Sequence, residues 1–160
     1  MNKKNLNVSN KDVRFNEIYI SFKKNLKLLK NKPSLVAVSG GPDSLALVAL
    51  SKEYNKENST KFYYLLVDHG IRKNSSEEAL AVKKLLKKKN ISLIIKKNKI
   101  KIEKNIHKNA REIRYGILKK FCSQNKIKFI LTAHHSEDQI ETFLIRLSRG
   151  SGVQGLSSMK

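Results

Sequence analysis

Six consecutive residues, Ser39-Gly40-Gly41-Pro42-Asp43-Ser44, have the composition of an anion-binding loop. Two adjacent glycines let a backbone approach a polyanion closely, and the two serine hydroxyls are suited to donating hydrogen bonds to its oxygens. An apolar run precedes the loop and a helical pattern follows it, so a helix N-terminus would point its free N–H groups at the same anion. Asp43 suits such a site if it holds Mg²⁺, which bridges carboxylates and phosphates. The same residues also fit an ordinary glycine turn with Asp43 as the helix N-cap.

Alternating hydrophobic patterns predict the elements that position this loop. Short apolar runs predict four strands, at about residues 34–39, 61–68, 91–96 and 127–133. Helical spacing predicts helices at about 12–30, 43–54, 75–89 and 105–125, with a last one from 136 onward. Ser75 and Glu78 have the spacing of a capping box. This alternation indicates an α/β fold in three layers, with a doubly wound parallel sheet covered by helices on both faces.

Three of the four predicted strands are followed by residues that could bind a ligand or take part in catalysis. Ser39-Gly40-Gly41 follows the first strand, Asp68-His69-Gly70 the second, and His134-His135 the fourth. Ligands of parallel sheets bind outside the carboxyl ends of the strands. We therefore expect these residues to form one site.

Charge and cysteine content narrow the function classes. The net charge of +21 favours association with nucleic acid, although most of the basic residues are lysines and a general compositional bias explains part of the excess. The apolar runs are too short to span a bilayer, and the first ten residues lack the apolar core of a secretory signal. A single cysteine, Cys122, excludes Cys-pair metal motifs within this chain and is expected to be inert core. These features favour a cytoplasmic protein that does not bind membranes.

Four blocks of sequence carry a family resemblance. SGGPDS at 39–44 resembles the signature of PP-loop ATPases, which split ATP into AMP and pyrophosphate; alone it leaves several subfamilies open. Three further blocks resemble those of tRNA(Ile)-lysidine synthetases: VDHGIR at 67–72, AREIRY at 110–115, and AHHSEDQIET at 133–142 followed by RLSRGSG at 146–152. The tRNA-thiolating members of this family are a poorer match, because they resemble enzymes that need paired cysteines and this chain has only Cys122.

The resemblance implies a fold, a reaction and a division of the chain. It implies an adenine nucleotide α-hydrolase-like fold, with an N-terminal helix in 1–33 that packs on a PP-loop catalytic domain in 34–160. The C-terminal parts with which the family grips tRNA are expected to be absent. The implied reaction joins free L-lysine to the wobble cytidine of a CAU-anticodon tRNA(Ile), using ATP and Mg²⁺ through an adenylated cytidine. The alternatives are a non-catalytic RNA- or ATP-binding remnant and a PP-loop ATPase that adenylates another substrate; a homodimer stays open.

The resemblance also implies roles for individual residues. Asp43 and Asp138 are expected to be catalytic and to hold the metal, and Arg111 and Arg114 to be catalytic, on a helix face offset from a core stripe that contains Ile106. The expected nucleotide-binding residues are Ser39, Gly40, Gly41, Pro42, Asp43, Ser44, Asp68, His69 and His134. The expected lysine- or tRNA-binding residues are Glu141, Arg146 and Arg149. Each group also has a plain structural interpretation, as helix-terminal acids, strand-end turns or solvated helix faces.

Overall fold

A computed structural model describes residues 10–29, 32–98, 100 and 106–133 of the chain. Its helices are α1 (Asn10–Asn25), α2 (Pro42–Glu57), α3 (Ser75–Lys87) and α4 (Ile106–Gln124), and a short 3₁₀ helix, Leu26–Leu29, follows α1. Its strands are β1 (Ser34–Val38), β2 (Phe62–Asp68), β3 (Leu93–Lys97) and β4 (Phe129–Leu131).

The four strands form one parallel sheet in the order β3-β2-β1-β4. The chain moves outward in one direction from β1 to β3 and then crosses back to place β4 on the other side of β1. Ser34 of β1 pairs with Phe62 of β2 and with Phe129 of β4, so these three strands begin at the same level. The reversal of strand order puts the topological switch point between β1 and β4, where parallel α/β sheets bind ligands.

Helices cover both faces of the sheet, as predicted. On one face, Val48 of α2 and Leu86 of α3 pack on side chains of β1 to β3 such as Val36. On the other face, Leu118 and Phe121 of α4 pack on Leu35 and Leu65. Alternate residues of β1 therefore serve opposite cores, which explains why its short run is almost wholly apolar. The prediction of a three-layer α/β fold is confirmed.

The N-terminal helix α1 and its 3₁₀ extension pack on α2. Tyr19, Leu26, Leu29 and Tyr54 form a third buried cluster. Ile18 of α1 is 58% exposed and does not join this cluster.

Three local predictions are wrong. Helix α2 continues to Glu57 rather than ending near residue 54, and β4 comprises only three residues. The N-cap of α3 is Asn74, and no side-chain hydrogen bond caps the helix, so Ser75 and Glu78 do not form a capping box. The predicted helix from 136 onward lies outside the described residues.

Within the described part of the chain, no helix combines the length and apolarity that crossing a membrane requires.

Candidate functional site

The loop between β1 and α2 turns in a conformation that glycine favours. Gly40 has a φ of 92°, in the region that residues with a Cβ rarely adopt. A Cβ at Gly40 would lie 2.9 Å from Cγ2 of Val82 on α3. Gly40 is therefore required both by its backbone angle and by the close approach of the loop to α3. Gly41 has an ordinary φ of −72° and serves as the N-cap of α2.

Serine hydroxyls hold the loop closed. The buried Ser44 donates a hydrogen bond to the carbonyl oxygen of Gly41 at 2.8 Å and accepts one from the N–H of Gly40 at 3.1 Å. The N–H of Gly41 reaches Oγ of Ser39 at 3.4 Å, a long and weak contact. The Ser44 hydroxyl therefore donates its hydrogen bond within the loop, whereas the exposed Ser39 hydroxyl can donate one to a ligand.

Helix α2 begins at the loop and directs its N-terminus toward the carboxyl edge of the sheet. Pro42 occupies the first turn, where a missing N–H costs nothing. Asp43 also lies in the first turn and its side chain is exposed. Asp43 is therefore not the N-cap, and the plain interpretation of it as a cap is wrong. Among the described residues, no group of three or more possible metal ligands is present.

A cavity of about 480 Å³ opens beside the loop, between the ends of β1 and β2 and the start of α3. Its lining combines the loop backbone at Ser39, Gly40 and Gly41 with apolar side chains and with Asp68, His69, Arg72, Ser75 and Glu78. This volume lies within the range of small-molecule sites, roughly 300–1,000 Å³. Residues from two predicted groups, the loop and the end of β2, therefore line the same cavity.

The carboxylate of Asp68 is buried and fixed by hydrogen bonds at the end of β2. It accepts hydrogen bonds from the Ser76 hydroxyl at 2.7 Å and from the N–H of Gly70 at 3.0 Å. Burial raises the pKa of Asp68, but hydrogen bonds from Ser76, Ser75 and Gly70 and the charge of Lys97 together leave that pKa below its usual value. Asp68 therefore fastens the first turn of α3 to the end of β2 and shapes the cavity wall.

Arg114 and His69 both lie near the carboxyl ends of the strands, close enough for the charge of Arg114 to affect His69. Nε of Arg114 and Nδ1 of His69 are both buried without a hydrogen-bond partner. Burial and the nearby charge of Arg114 lower the pKa of His69, against an opposite effect of Asp68. Burial also lowers the pKa of Arg114, although a guanidinium stays charged in proteins. Among the described residues, no carboxylate forms an ion pair with Arg114.

Arg114 lies directly at the switch point. It lines a small hollow together with Tyr115 of α4, with Ser39 and Ser44 of the loop, and with Thr132 and Ala133 after β4. Arg114 precedes the buried Leu118 by one helical turn, on the side of α4 that faces the sheet. The expectation that it occupies a face offset from the core is wrong, because the buried stripe runs through Leu118, Phe121 and Cys122 while Ile106 is 43% exposed.

The second predicted arginine has a different setting. The guanidinium carbon of Arg111 lies 5.2 Å from the centre of the Tyr115 ring, a cation–π contact.

Five predicted site residues lie outside the described residues: His134, Asp138, Glu141, Arg146 and Arg149. Sequence reasoning missed Ser76 and Val82, which contact predicted site residues, because only their proximity in the fold marks them.

Known proteins share the sequence features that build this site. The model of a family described as the PP-loop domain matches residues 12–160. The chain belongs to the PP-loop family. Cys122, its single cysteine, is buried in the α4 core, as predicted for an inert residue.

Curated relatives of this PP-loop chain match its sequence closely. It is 45% identical over 132 residues to the tRNA(Ile)-lysidine synthase of Wolbachia pipientis wMel, covering 81% of this chain and 31% of the relative. It is 39% identical over 133 residues to that of Orientia tsutsugamushi, covering 81% and 30%. It is 38% identical over 131 residues to the bifunctional protein TilS/HprT of Listeria innocua, covering 79% and 20%. The chain thus spans about a third or less of these relatives, and its resemblance to tRNA(Ile)-lysidine synthetases is confirmed.

A solved structure supports the PP-loop fold. The U34-tRNA thiolase NcsA from Methanococcus maripaludis, solved with its [4Fe-4S] cluster, superposes with a TM-score of 0.69 at 22% identity. The match covers 86% of this chain and 52% of the thiolase. At this identity the likeness concerns the fold.

Proposed function

We propose that this chain is the ATP-activating domain of a tRNA(Ile)-lysidine synthetase, which joins lysine to the wobble cytidine of a CAU-anticodon tRNA(Ile). The observation that carries the proposal is the position of the SGGPDS loop. It combines a glycine turn and a helix N-terminus with the half-buried Arg114 across the switch point, a residue that pairs with no carboxylate among the described residues. The 45% identity to a protein named tRNA(Ile)-lysidine synthase supports tRNA(Ile) as the proposed substrate.

The proposed reaction has two steps. The ring carbonyl oxygen of the cytidine attacks the α-phosphate of ATP, the bond to the β-phosphate bridging oxygen breaks, and pyrophosphate leaves. The neutral amine of lysine then attacks the ring carbon that carries AMP. The carbon–oxygen bond breaks, AMP leaves, and the new nitrogen loses a proton. Positioning and charge neutralisation supply most of such an acceleration.

In the first step, the loop on one side of the switch point binds the pyrophosphate, and Arg114 on the other side acts on the α-phosphate. The loop backbone at Gly40 and Gly41 and the N-terminus of α2 bind the leaving pyrophosphate, and the Ser39 hydroxyl donates to it. Ser44 keeps the loop in shape rather than binding phosphate, because its proton is given to Gly41. Arg114 neutralises charge that develops on the α-phosphate. His69, whose pKa burial and the charge of Arg114 hold below its usual value, keeps Nδ1 available for the nucleotide.

Asp43 fits the role of a carboxylate ligand for Mg²⁺. Mg²⁺ bound with ATP takes one or two carboxylates together with phosphate oxygens and water, and Asp43 is an exposed acid in the first turn behind the loop. When bound, the ion would neutralise phosphate charge. Asp138 remains its proposed second carboxylate, with Glu141 proposed for the lysine ammonium and Arg111, Arg146 and Arg149 for RNA phosphates. His134 remains proposed for the nucleotide.

The second candidate is a PP-loop enzyme that adenylates a different tRNA base, which the fold of the thiolase favours. A cluster of that protein's kind is held by several cysteine thiolates, and this chain offers only the buried Cys122. Lysine therefore remains the preferred nucleophile. We propose that the ligase works in the cytoplasm.

The products of ATP cleavage test this proposal. With labelled ATP, Mg²⁺ and lysine, we expect AMP and pyrophosphate to form only when CAU-anticodon tRNA(Ile) is present. Asp43→Asn is expected to abolish AMP formation. Glu77→Gln removes an exposed acid from the first turn of α3, at the same edge of the sheet, and is the matched control with normal turnover. AMP formation with other tRNAs alone would favour the second candidate, and ATP binding without cleavage would favour a remnant.

A further inference from the structure

The amino edge of the sheet, opposite the loop, carries a concentration of lysines. Among the described residues, six exposed lysines lie in the connections that lead into the four strands; we term them the amino-edge lysines. They are Lys32, Lys61, Lys88, Lys89, Lys126 and Lys128. None of the mechanism proposed above uses them, because the SGGPDS loop lies at the other end of every strand.

The strand register arranges these lysines in a row. Ser34, Phe62 and Phe129 pair at one level, so Lys61 and Lys128 flank the segment that carries Lys32 into β1. The N–H of Ser34 donates to the carbonyl oxygen of Lys61 at 3.0 Å, which fixes this proximity. Neighbouring strands lie about 4.8 Å apart, so the row from the β3 side to the β4 side is about 15 Å long.

Aromatic rings orient two of the charges. The Lys32 ammonium lies 5.5 Å from the centre of the Phe129 ring on the neighbouring strand. The Lys61 ammonium lies 4.9 Å from the centre of the Tyr63 ring. Such contacts restrict long, mobile side chains before a ligand binds, which lowers the entropy cost of binding.

The acidic side chains of the described residues do not neutralise this edge. Glu53 and Glu57, near the end of α2, already form ion pairs with Lys56 and Lys23. Four described acids lie at the opposite edge, after β2 or in the first turns of α2 and α3: Asp43, Asp68, Glu77 and Glu78.

The helix dipoles explain only part of the lysine excess. The C-termini of α1 with its 3₁₀ extension, α2, α3 and α4 point to this edge, each equivalent to about half a negative charge. They offset roughly two of the six positive charges, so a surplus of about four remains.

We propose that the amino-edge lysines bind the phosphate backbone of a folded RNA. A row of charges at strand spacing matches a linear polyanion, and phosphate contacts of this kind position RNA without reading its sequence. A membrane surface would also attract lysines, but it calls for apolar anchors among them. Among the described residues, one exposed large apolar side chain, Leu85, lines a hollow with an amino-edge lysine, Lys89. The others lie on α1, at Leu80 of α3, in the first turn of α4 and in the segments at the carboxyl edge, so they form no apolar patch among these lysines. The proposal depends on the charge distribution and not on the ATP reaction.

The test compares two variants that lose the same charge. The edge variant carries Lys32→Gln, Lys61→Gln, Lys89→Gln and Lys128→Gln. The control variant carries Lys83→Gln, Lys84→Gln, Lys108→Gln and Lys119→Gln, all on exposed faces of α3 and α4. Binding of an RNA hairpin to the full chain is measured over a series of salt concentrations. In the edge variant we expect the slope of log K against log salt to become shallower by about 3, since each phosphate contact contributes roughly 0.7–0.9.

The control variant is expected to keep most of the slope. Equal changes in the two variants would overturn the proposal, because they would show a diffuse charge effect. So would an edge variant that keeps its RNA affinity but no longer binds phosphatidylserine vesicles. Thermal unfolding checks that each variant folds. A double variant, Lys89→Gln with Lys128→Gln, leaves both cation–π contacts intact and is expected to make the slope shallower by about 1.5. ATP binding is measured in parallel, so that a loss of RNA binding can be distinguished from a failure of the proposed reaction.

Discussion

Replacing Gly40 by alanine is expected to destabilise the chain and to disable the loop. The backbone φ of 92° costs a residue with a Cβ roughly 1–2 kcal/mol. The new methyl group would lie 2.9 Å from Cγ2 of Val82, and overpacking of this kind typically costs roughly 1–3 kcal/mol. Alanine also lowers the conformational entropy of the unfolded chain, which raises the free energy of unfolding by about 0.4–1 kcal/mol. The expected net loss in the free energy of unfolding is therefore about 2–3 kcal/mol, a large share of ordinary domain stability.

Urea unfolding with two further variants separates the two causes. Gly41→Ala is the matched control, because Gly41 has a φ of −72° and a Cβ there would meet no atom closer than Oγ of Ser39, at 3.7 Å. This control is expected to change stability by less than about 0.5 kcal/mol. Measured against Val82→Ala alone, adding Gly40→Ala should cost only the backbone part, because the steric part of roughly 1–3 kcal/mol is then removed. If Gly40→Ala proves as stable as Gly41→Ala, the close approach of the loop to α3 is refuted.

Three further predictions concern ionisable groups at the site. Hydrogen bonds hold the pKa of Asp68 below its usual value, so its carboxylate stabilises the fold above about pH 4. That contribution is lost as the pH falls through the pKa of Asp68 in the folded protein. Urea unfolding at neutral pH should show Asp68→Asn to be less stable than wild type by about 1–2 kcal/mol, and the difference should vanish in acid. Arg114→Met should leave stability unchanged or slightly higher, since the charge has no described ion-pair partner, while AMP formation falls about 100-fold. The same variant should raise the pKa of His69, measured by NMR titration, and an unchanged pKa would contradict their proximity.

The sequence predicted the layer architecture and the location of the loop because both depend on local patterns. Apolar runs of five to seven residues, such as Ser34–Val38 and Phe62–Asp68, mark buried parallel strands without any knowledge of their partners. The glycine pair then marks the turn that follows. The alternation of strands and helices restricts the remaining choices to a doubly wound sheet.

The errors arose where a tertiary contact decides the outcome. The polar end of α2 lacks helical periodicity, yet Glu57 stays helical and pairs with Lys23 of α1, a contact that no local pattern reveals. Ser75 and Glu78 were expected to form a capping box, but the N-cap is Asn74, and the neighbouring Ser76 donates its hydrogen bond to Asp68 at the end of β2. The phase of the α4 stripe was misjudged because Ile106 looks like core, and this error moved Arg114 away from the sheet.

The most direct test of the central claim is transfer of labelled lysine to RNA. Wild type, Asp43→Asn and Glu77→Gln are each incubated with labelled L-lysine, ATP, Mg²⁺ and CAU-anticodon tRNA(Ile), and the label that stays with the tRNA is counted. The account predicts incorporation by wild type and Glu77→Gln and none by Asp43→Asn. Consumption of ATP to AMP without label in the tRNA, or equal incorporation by Asp43→Asn, would contradict it.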